Sequence, residues 1–270
     1  MLQQFALDRV LALCGYNLRA MVKHRLDKLM VDRGLAASRE RAQAMILAGK
    51  VLVNEQKLEK AGAQVEEDCA LRLLADDLKY VSRGGLKLER ALHHWNIELQ
   101  GRACADVGAS TGGFTDCMLQ RGAARVIAID TGYGQMDLKV RQDPRVRLLE
   151  RTNARYLTRA DLGEVVGFIA VDVSFISATL VLPAVMNAAF PASPGERCGH
   201  ELVVLVKPQF EAGKGNVGKG GIVRDERVQQ AAVERVRECV RNLGAGYIDV
   251  TESPILGGEG NREFLLIGRF

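Results

Sequence analysis

Four chemically capable side chains stand where apolar runs stop. Leu202–Val206 leads straight into Lys207, Phe168–Val171 ends on Asp172, and Glu263 opens the run Phe264–Gly268. Lys87 follows the pair Gly84–Gly85 at the head of a helical stretch. Each residue alone reads most simply as a surface salt bridge. Together, Lys, Asp, Lys and Glu are a recognised catalytic set, suited to moving a proton and holding the reactants in place. If the three strands are neighbours, Asp172 and Lys207 emerge at one sheet edge. The direction of the last strand decides whether Glu263 joins them, and the helix at Lys87 overhangs the site.

Six residues beyond Lys207, Gly213–x4–Gly218–Lys219 imitates a phosphate-binding loop. The imitation fails, because Gly220 stands where Ser or Thr should hold a magnesium ion and "PQFEA" separates the glycines from the strand. Residues 213–221 form either a loop that closes on a substrate backbone or a plain flexible connection.

A second loop, "ADVGASTGGFTD" at Ala105–Asp116, falls between a strand and a helix, where open α/β sheets bind ligands. It is no dinucleotide fingerprint, since Ser110 replaces the glycine that admits a pyrophosphate. Asp106 at the strand end repels phosphate and attracts an amine. S-adenosyl-L-methionine fits, with an amino group, a carboxylate, ribose hydroxyls and a sulfonium, but no phosphate. The expected cradle is Asp106, Gly108, Ser110, Gly112, Gly113, Phe114 and Thr115. Asp130, ending the next strand, accepts from ribose hydroxyls. Asn153 and Ala154 in "RTNAR" lie near the adenine, and Asp172 serves both cofactor and catalysis. The simpler alternative is that Asp106 and Asp130 cap strands while the glycines serve the turn.

These positions require alternating strands and helices. "LKLERALHHW" and "GFTDCMLQRGA" read as helices, as do residues 177–189 and 225–243. "RACADVGA", "RVIAID", "VVGFIAVDVSF", "ELVVLVK" and "REFLLIGRF" read as strands. The pattern predicts a Rossmann-like, doubly wound, mostly parallel sheet over residues 86–270. Residues 76–85 read as a linker, 21–75 as a small basic α+β module, and 1–20 as an extension or a misassigned start. In the module, Leu26, Leu29 and Met30 share a helix face ended by Gly34. Ser38 caps a second helix that carries Ala42, Met45 and Ile46 and stops at Gly49, and "KVLVNEQKL" forms two strands and a turn.

The chain has 270 residues, 47% hydrophobic and 26% charged, with net charge +4. No run suits a membrane span, and the first residues lack an export signal. Six cysteines without metal spacing suggest reduced thiols in the cytoplasm. Residues 21–60 hold nine Lys/Arg and five Asp/Glu, a surplus of four that equals the whole chain's. This basic module points to a polyanion partner or to a merely solvated charged surface. Lys23, Arg25, Arg39, Arg41 and Lys50 are the candidate RNA contacts.

The order of helix, Gly-Leu and "SRERAQAMILAGKVLVN" resembles the RNA-binding module named after ribosomal protein S-four, over roughly residues 24–75. "SRGGLKL", "DVGASTGGFTD", "AIDTGYGQ", "VDVSFIS", "LVKPQFE" and "GNREFLL" together resemble the TlyA family, in which such a module precedes an FtsJ-like methyltransferase. The resemblance implies 2′-O-methylation of ribose in ribosomal RNA, at cytidines of either subunit, with Lys87, Asp172, Lys207 and Glu263 as the catalytic tetrad and no metal. A ribose hydroxyl needs a base. A free lysine, of pKa about 10.4, is neutral in only about one molecule in a thousand near pH 7.4. Burial beside a second cation, Lys87, favours the neutral amine at Lys207, the expected base. Asp172 and Glu263 oppose that and are assigned to positioning. "DVSF" departs from the Asn/Asp-Pro-Pro-aromatic turn of base-amine methylation, and no cysteine suits carbon-5 chemistry. The alternatives are a non-catalytic RNA-binding or ribosome-assembly protein and, from the family's older name, a haemolysin.

Overall fold

The computed structural model describes residues 23–36, 38–47, 49–73, 79–218, 220–257 and 260–270. The expectations for residues 1–20, for Lys219 and for the first part of the linker fall outside these. The chain divides into two compact units between residues 77 and 78.

In the smaller unit, β1 (Lys23–Arg25) leads into α1 (Leu26–Asp32), and α2 (Arg39–Leu47) follows. Next come β2 (Val51–Val53), β3 (Gln56–Lys57), β4 (Gln64–Glu66) and β5 (Leu71–Leu73). β1 pairs antiparallel with β4, and β2 lies between β3 and β5. Leu26, Leu29 and Met30 from α1 meet Ala42 and Ile46 from α2 over Val51 and Val53. These are the faces the apolar spacing selects. Ser38 Oγ accepts from the Arg41 amide at 3.3 Å at the head of α2.

The larger unit contains α3 (Gly84–His94), β6 (Ala103–Val107), α4 (Gly113–Gln120), β7 (Arg125–Ile129), α5 (Leu138–Arg141) and β8 (Val146–Leu149). It continues with α6 (Arg159–Leu162), β9 (Phe168–Val171), α7 (Leu182–Ala189), β10 (Glu201–Val206) and α8 (Pro208–Glu211). α9 (Glu226–Asn242), β11 (Tyr247–Glu252) and β12 (Phe264–Arg269) complete it. The seven strands order as β11-β12-β10-β9-β6-β7-β8. β6–β10 run parallel, while β12 is antiparallel to both of its neighbours. This is the doubly wound, mostly parallel sheet, with one reversed strand.

Three readings needed correction. The helix expected over 177–189 is broken: a 3-10 turn at Ala178–Leu180 precedes α7, with Pro183 in its first turn. Proline has no amide hydrogen to continue a helix begun upstream. The strand expected over 165–175 is confined to β9, since the chain leaves the sheet at Asp172. β11, whose alternating "YIDVTE" carries few strongly apolar residues, had no counterpart in the sequence reading.

Both sheet faces are covered, and residues alternate between them. Ala105, Val107, Ile127, Ile129, Leu202 and Val204 pack toward α7 and α9. Cys104, Val126, Ala170, Val203, Leu205 and Leu265 pack with Leu88 and Leu92 of α3 and Met118 of α4. That alternation positions the site.

Candidate active site

Counting by twos from the residues under α3 and α4 gives Asp106 after Cys104, Asp172 after Ala170, and Lys207 after Leu205. Counting back from Leu265 gives Glu263. Asp172 and Lys207 lie one residue past their parallel strands, and Glu263 lies one before β12. Because β12 is reversed, its beginning reaches the edge where β9 and β10 end; Phe264 faces Val206. Four polar residues thereby share one edge and one sheet face. α3, which covers that face, supplies Lys87.

The tetrad forms two ion pairs. Lys87 Nζ donates to Glu263 Oε2 at 2.5 Å, and Lys207 Nζ stands 2.6 Å from Asp172 Oδ1. Both lysines are 9% exposed and Glu263 is 3% exposed. The Lys207–Asp172 contact is ionic without hydrogen-bond alignment, so Asp172 Oδ1 is buried and lacks a hydrogen-bond partner. Lys207 Nζ donates to Ser174 Oγ at 2.7 Å. The sequence reading set the two cations against each other; the structure gives each its own carboxylate. Gly257 leaves room for one pair, since a Cβ there would stand 2.5 Å from Glu263 Oε1.

Two cavities open on this edge. The smaller, about 240 Å³, is lined by Ser82, Gly84, Lys87, Thr111, Phe114 and Ile255, among others. The larger, about 480 Å³, is lined by Asp130, Gln135, Asn153, Ala154, Ser174 and Phe175, among others. Gly108, Ser110 and Asp172 border both. Gly108 has φ +88°, and a Cβ there would lie 2.3 Å from the Asp172 carbonyl oxygen. Only glycine allows this contact between the loop after β6 and the end of β9.

The expected cofactor residues divide between wall and support. Asp130 is on the wall, with Oδ2 accepting from the Ser110 amide at 2.8 Å and Oδ1 from the Gly132 amide at 2.6 Å. Asn153 and Ala154 are also on the wall. Gly113 and Phe114 border the smaller cavity, while Gly112 precedes α4 as its N-cap. Asp106 and Thr115 line neither cavity. Asp106 is fully buried, its Oδ2 accepting from Thr115 Oγ1 at 2.6 Å and its Oδ1 without a partner. Burial pushes its carboxyl up to about 7; Thr115 opposes the rise, and the charges of Asp172 and Asp130 add to it. Asp130 and Asp172 on the walls and Asp106 beneath them place acidic groups near one edge, which suits a cationic ligand. Such a wall fits S-adenosyl-L-methionine, whose amino group and sulfonium are cationic.

Sequence reading missed Ser174, Phe175, Gln135 and Ser82 on these walls. The available signal was an aromatic residue just beyond a strand end, in "DVSF". Phe175 is 92% exposed and has φ +65°, a strained conformation for a bulky side chain. Its ring lies 5.4 Å from that of Phe210.

In the smaller unit, two expected RNA contacts have an internal task. Arg25 and Arg39 both bond the fully buried Asp27, with Nε–Oδ distances of 3.1 and 3.0 Å; Gln43 adds a bond of 2.8 Å. Arg25 leads in holding the Asp27 carboxyl well below the usual carboxylate range. Half of each arginine remains at the surface. Lys23 and Arg41 are exposed, and Lys50 directly precedes β2. Among the described residues no group of three or more His, Cys, Asp or Glu is arranged to hold a metal ion. No helix among them is long and apolar enough to cross a membrane.

The FtsJ-like methyltransferase family model matches residues 80–270, and the S4 domain model matches residues 24–68. The Bacillus subtilis protein YqxC, provisionally named an rRNA methyltransferase, is 47% identical, covering 90% of this chain and 85% of its own. The Mycobacterium tuberculosis 16S/23S rRNA (cytidine-2′-O)-methyltransferase TlyA is 44% identical, covering 90% and 88%. A solved structure from Streptococcus thermophilus, provisionally described as a hemolysin, is 41% identical with a TM-score of 0.68, covering 93% and 90%.

Proposed function

The chain belongs to the FtsJ-like methyltransferases of the TlyA family, and from that premise we propose that it methylates a ribose 2′-hydroxyl of ribosomal RNA with S-adenosyl-L-methionine. The favoured target is a cytidine of 16S or 23S rRNA, as the name of the mycobacterial relative suggests. The single observation that carries this reading is the meeting of Lys87–Glu263 and Lys207–Asp172 beside two cavities that share Asp172.

When bound, the cofactor supplies an electrophilic methyl group on a sulfonium. Asp130 would take the ribose hydroxyls, Asn153 and Ala154 would border the adenine, and Gly108, Ser110, Gly112, Gly113 and Phe114 would shape the loop for the amino acid part. Asp106 and Thr115 act from beneath this loop, stiffening it and adding negative potential. Lys207, in its neutral amine form, takes the proton of the 2′-hydroxyl and becomes the ammonium that Asp172 balances. Asp172 holds Lys207 by charge and would balance the cofactor's positive charge. Glu263 holds Lys87 at the mouth of the smaller cavity, where a cation steadies developing or adjacent negative charge. Phe175, exposed at the rim of the larger cavity, offers a face on which a nucleobase stacks. The smaller unit contributes RNA affinity through Lys23, Arg41 and Lys50 and through the exposed sides of Arg25 and Arg39.

The test combines two measurements on the full chain. Mapping ribose methylation in ribosomal RNA from cells with and without the gene identifies the nucleotide, and a missing difference refutes the assignment. Lys207→Ala abolishes the activity while calorimetric affinity for the cofactor stays within a few-fold; full activity in that variant removes Lys207 as the base. Absence of cofactor binding to the wild type would favour a non-catalytic RNA-binding role.

A further inference from the structure

We propose that Ser174 is a further positioning residue, one that fixes the direction in which the Lys207 nitrogen faces its reaction partner. The inference deepens the reading above and rests on Lys207 as the base. Lys207 Nζ is held between Asp172 Oδ1 at 2.6 Å and Ser174 Oγ at 2.7 Å. Beyond its carbon, a lysine nitrogen has three tetrahedral positions, all protons in the ammonium, two protons and a lone pair in the amine. With one of them directed to Ser174 by an aligned hydrogen bond, rotation about the Cε–Nζ bond is fixed and the other two take set directions, while Asp172 supplies charge without alignment. A single anchor at Asp172 would leave the head free to turn about the Cε–Nζ bond and carry its lone pair away from the hydroxyl. Ser174 borders the larger cavity, so this second anchor sits at the reacting edge.

The anchor is itself held rigidly. Residues 172–178 and 207–211 are joined at three successive places. Lys207 meets Asp172 and Ser174; the Phe210 ring meets Phe175; and Glu211, 2% exposed, accepts from the Ser177 hydroxyl and, at 2.7 Å, from the Ala178 amide. The left-handed Phe175 between these contacts is a conformation that persists only where its surroundings over-determine it. Ser174 is exposed, packs into no core cluster, and has its hydroxyl on Lys207. Its hydroxyl therefore serves the lysine, not the stability of the fold.

The experiment compares the full-length wild type with Ser174→Ala, Ser174→Thr and Lys207→Ala. Turnover is measured on ribosomal RNA, and Lys207 modification by formaldehyde and cyanoborohydride is followed by mass spectrometry without ligands. Ser174→Ala is expected to lower kcat by about 10- to 100-fold, the worth of one hydrogen bond to a charged group, with KM and cofactor affinity within about threefold. Its Lys207 is expected to be labelled several-fold faster, and Ser174→Thr restores both properties. Unchanged turnover and labelling in Ser174→Ala overturn the proposal, as does an equal loss in Ser174→Thr. If the wild type methylates no RNA, or Lys207→Ala stays active, the parent reading fails. The labelling comparison then still decides whether Ser174 holds the amine.

Discussion

Replacing Thr115 by valine removes one oxygen from a site where the charge state of its partner is poised near neutrality. Thr115 Oγ1 donates to Asp106 Oδ2 at 2.6 Å, and the other oxygen of that carboxyl is buried without a partner. Burial raises Asp106 from 3.8 to about 7. A raised acid holds its proton in the native state at pH values where the unfolded chain has released it. Stability from this residue is therefore complete below about pH 3.8, falls as pH rises, and levels off above about 7. The full change corresponds to ~4 kcal/mol. Below pH 6 the threonine bonds a neutral acid, an interaction worth about 1 kcal/mol; above pH 8 it bonds a carboxylate, worth about 2–3 kcal/mol. Urea unfolding should thus show Thr115→Val losing about 1 kcal/mol at pH 5 and about 2–3 kcal/mol at pH 8.5. In an Asp106→Asn background the loss should no longer depend on pH. An equal loss at both pH values in the otherwise wild-type chain would refute the account of Asp106 as a poised buried acid.

Gly108→Ala forces a Cβ to within 2.3 Å of a backbone oxygen at φ +88°. It should cost at least ~2 kcal/mol of stability and remove cofactor binding, and calorimetry showing wild-type affinity would contradict the loop assignment. Glu263→Gln leaves the Lys87 ammonium buried without its counter-charge. A loss of about 3 kcal/mol is expected, substantially recovered by the double change Lys87→Met and Glu263→Leu, which stays inactive. Denaturation curves check both, and a fully stable Glu263→Gln chain would show that the pair is not a buried one. Asp27→Asn unties Arg25 and Arg39 and should destabilise the smaller unit by about 2 kcal/mol. RNA affinity should fall with little change in its salt dependence, because the basic side chains remain. Loss of salt dependence in filter binding would place Asp27 in another role.

The placing of the candidate catalytic residues on one edge was legible because they obey the two-residue period of strands whose apolar members were easy to see. Asp172 and Lys207 follow directly from that period, and Glu263 needed only the direction of β12, which pairing with β10 supplies. What escaped depends on contacts between distant segments. Asp106 has the local appearance of a rim residue, yet it is buried against Thr115 of α4 and lines neither cavity. Arg25 and Arg39 look like a basic track until Asp27, an ordinary helix residue in one dimension, turns inward between them. Ser174 and Phe175 belong to a loop whose shape is set from Phe210 and Glu211, more than thirty residues later.

Lys87 and the carboxylate that steadies it are separated by 176 positions, nearly the span of the larger unit from Leu78 to Phe270. No local folding event contains both, and the loop that must close to join them is among the longest this unit can form. A molecule halted partway, with its early strands paired and its reversed strand still outside, holds a lone lysine over an unfinished edge. With Lys87 and Glu263 in the proposed catalytic role, such a species would be chemically silent, and competence to modify RNA would arrive together with completed folding.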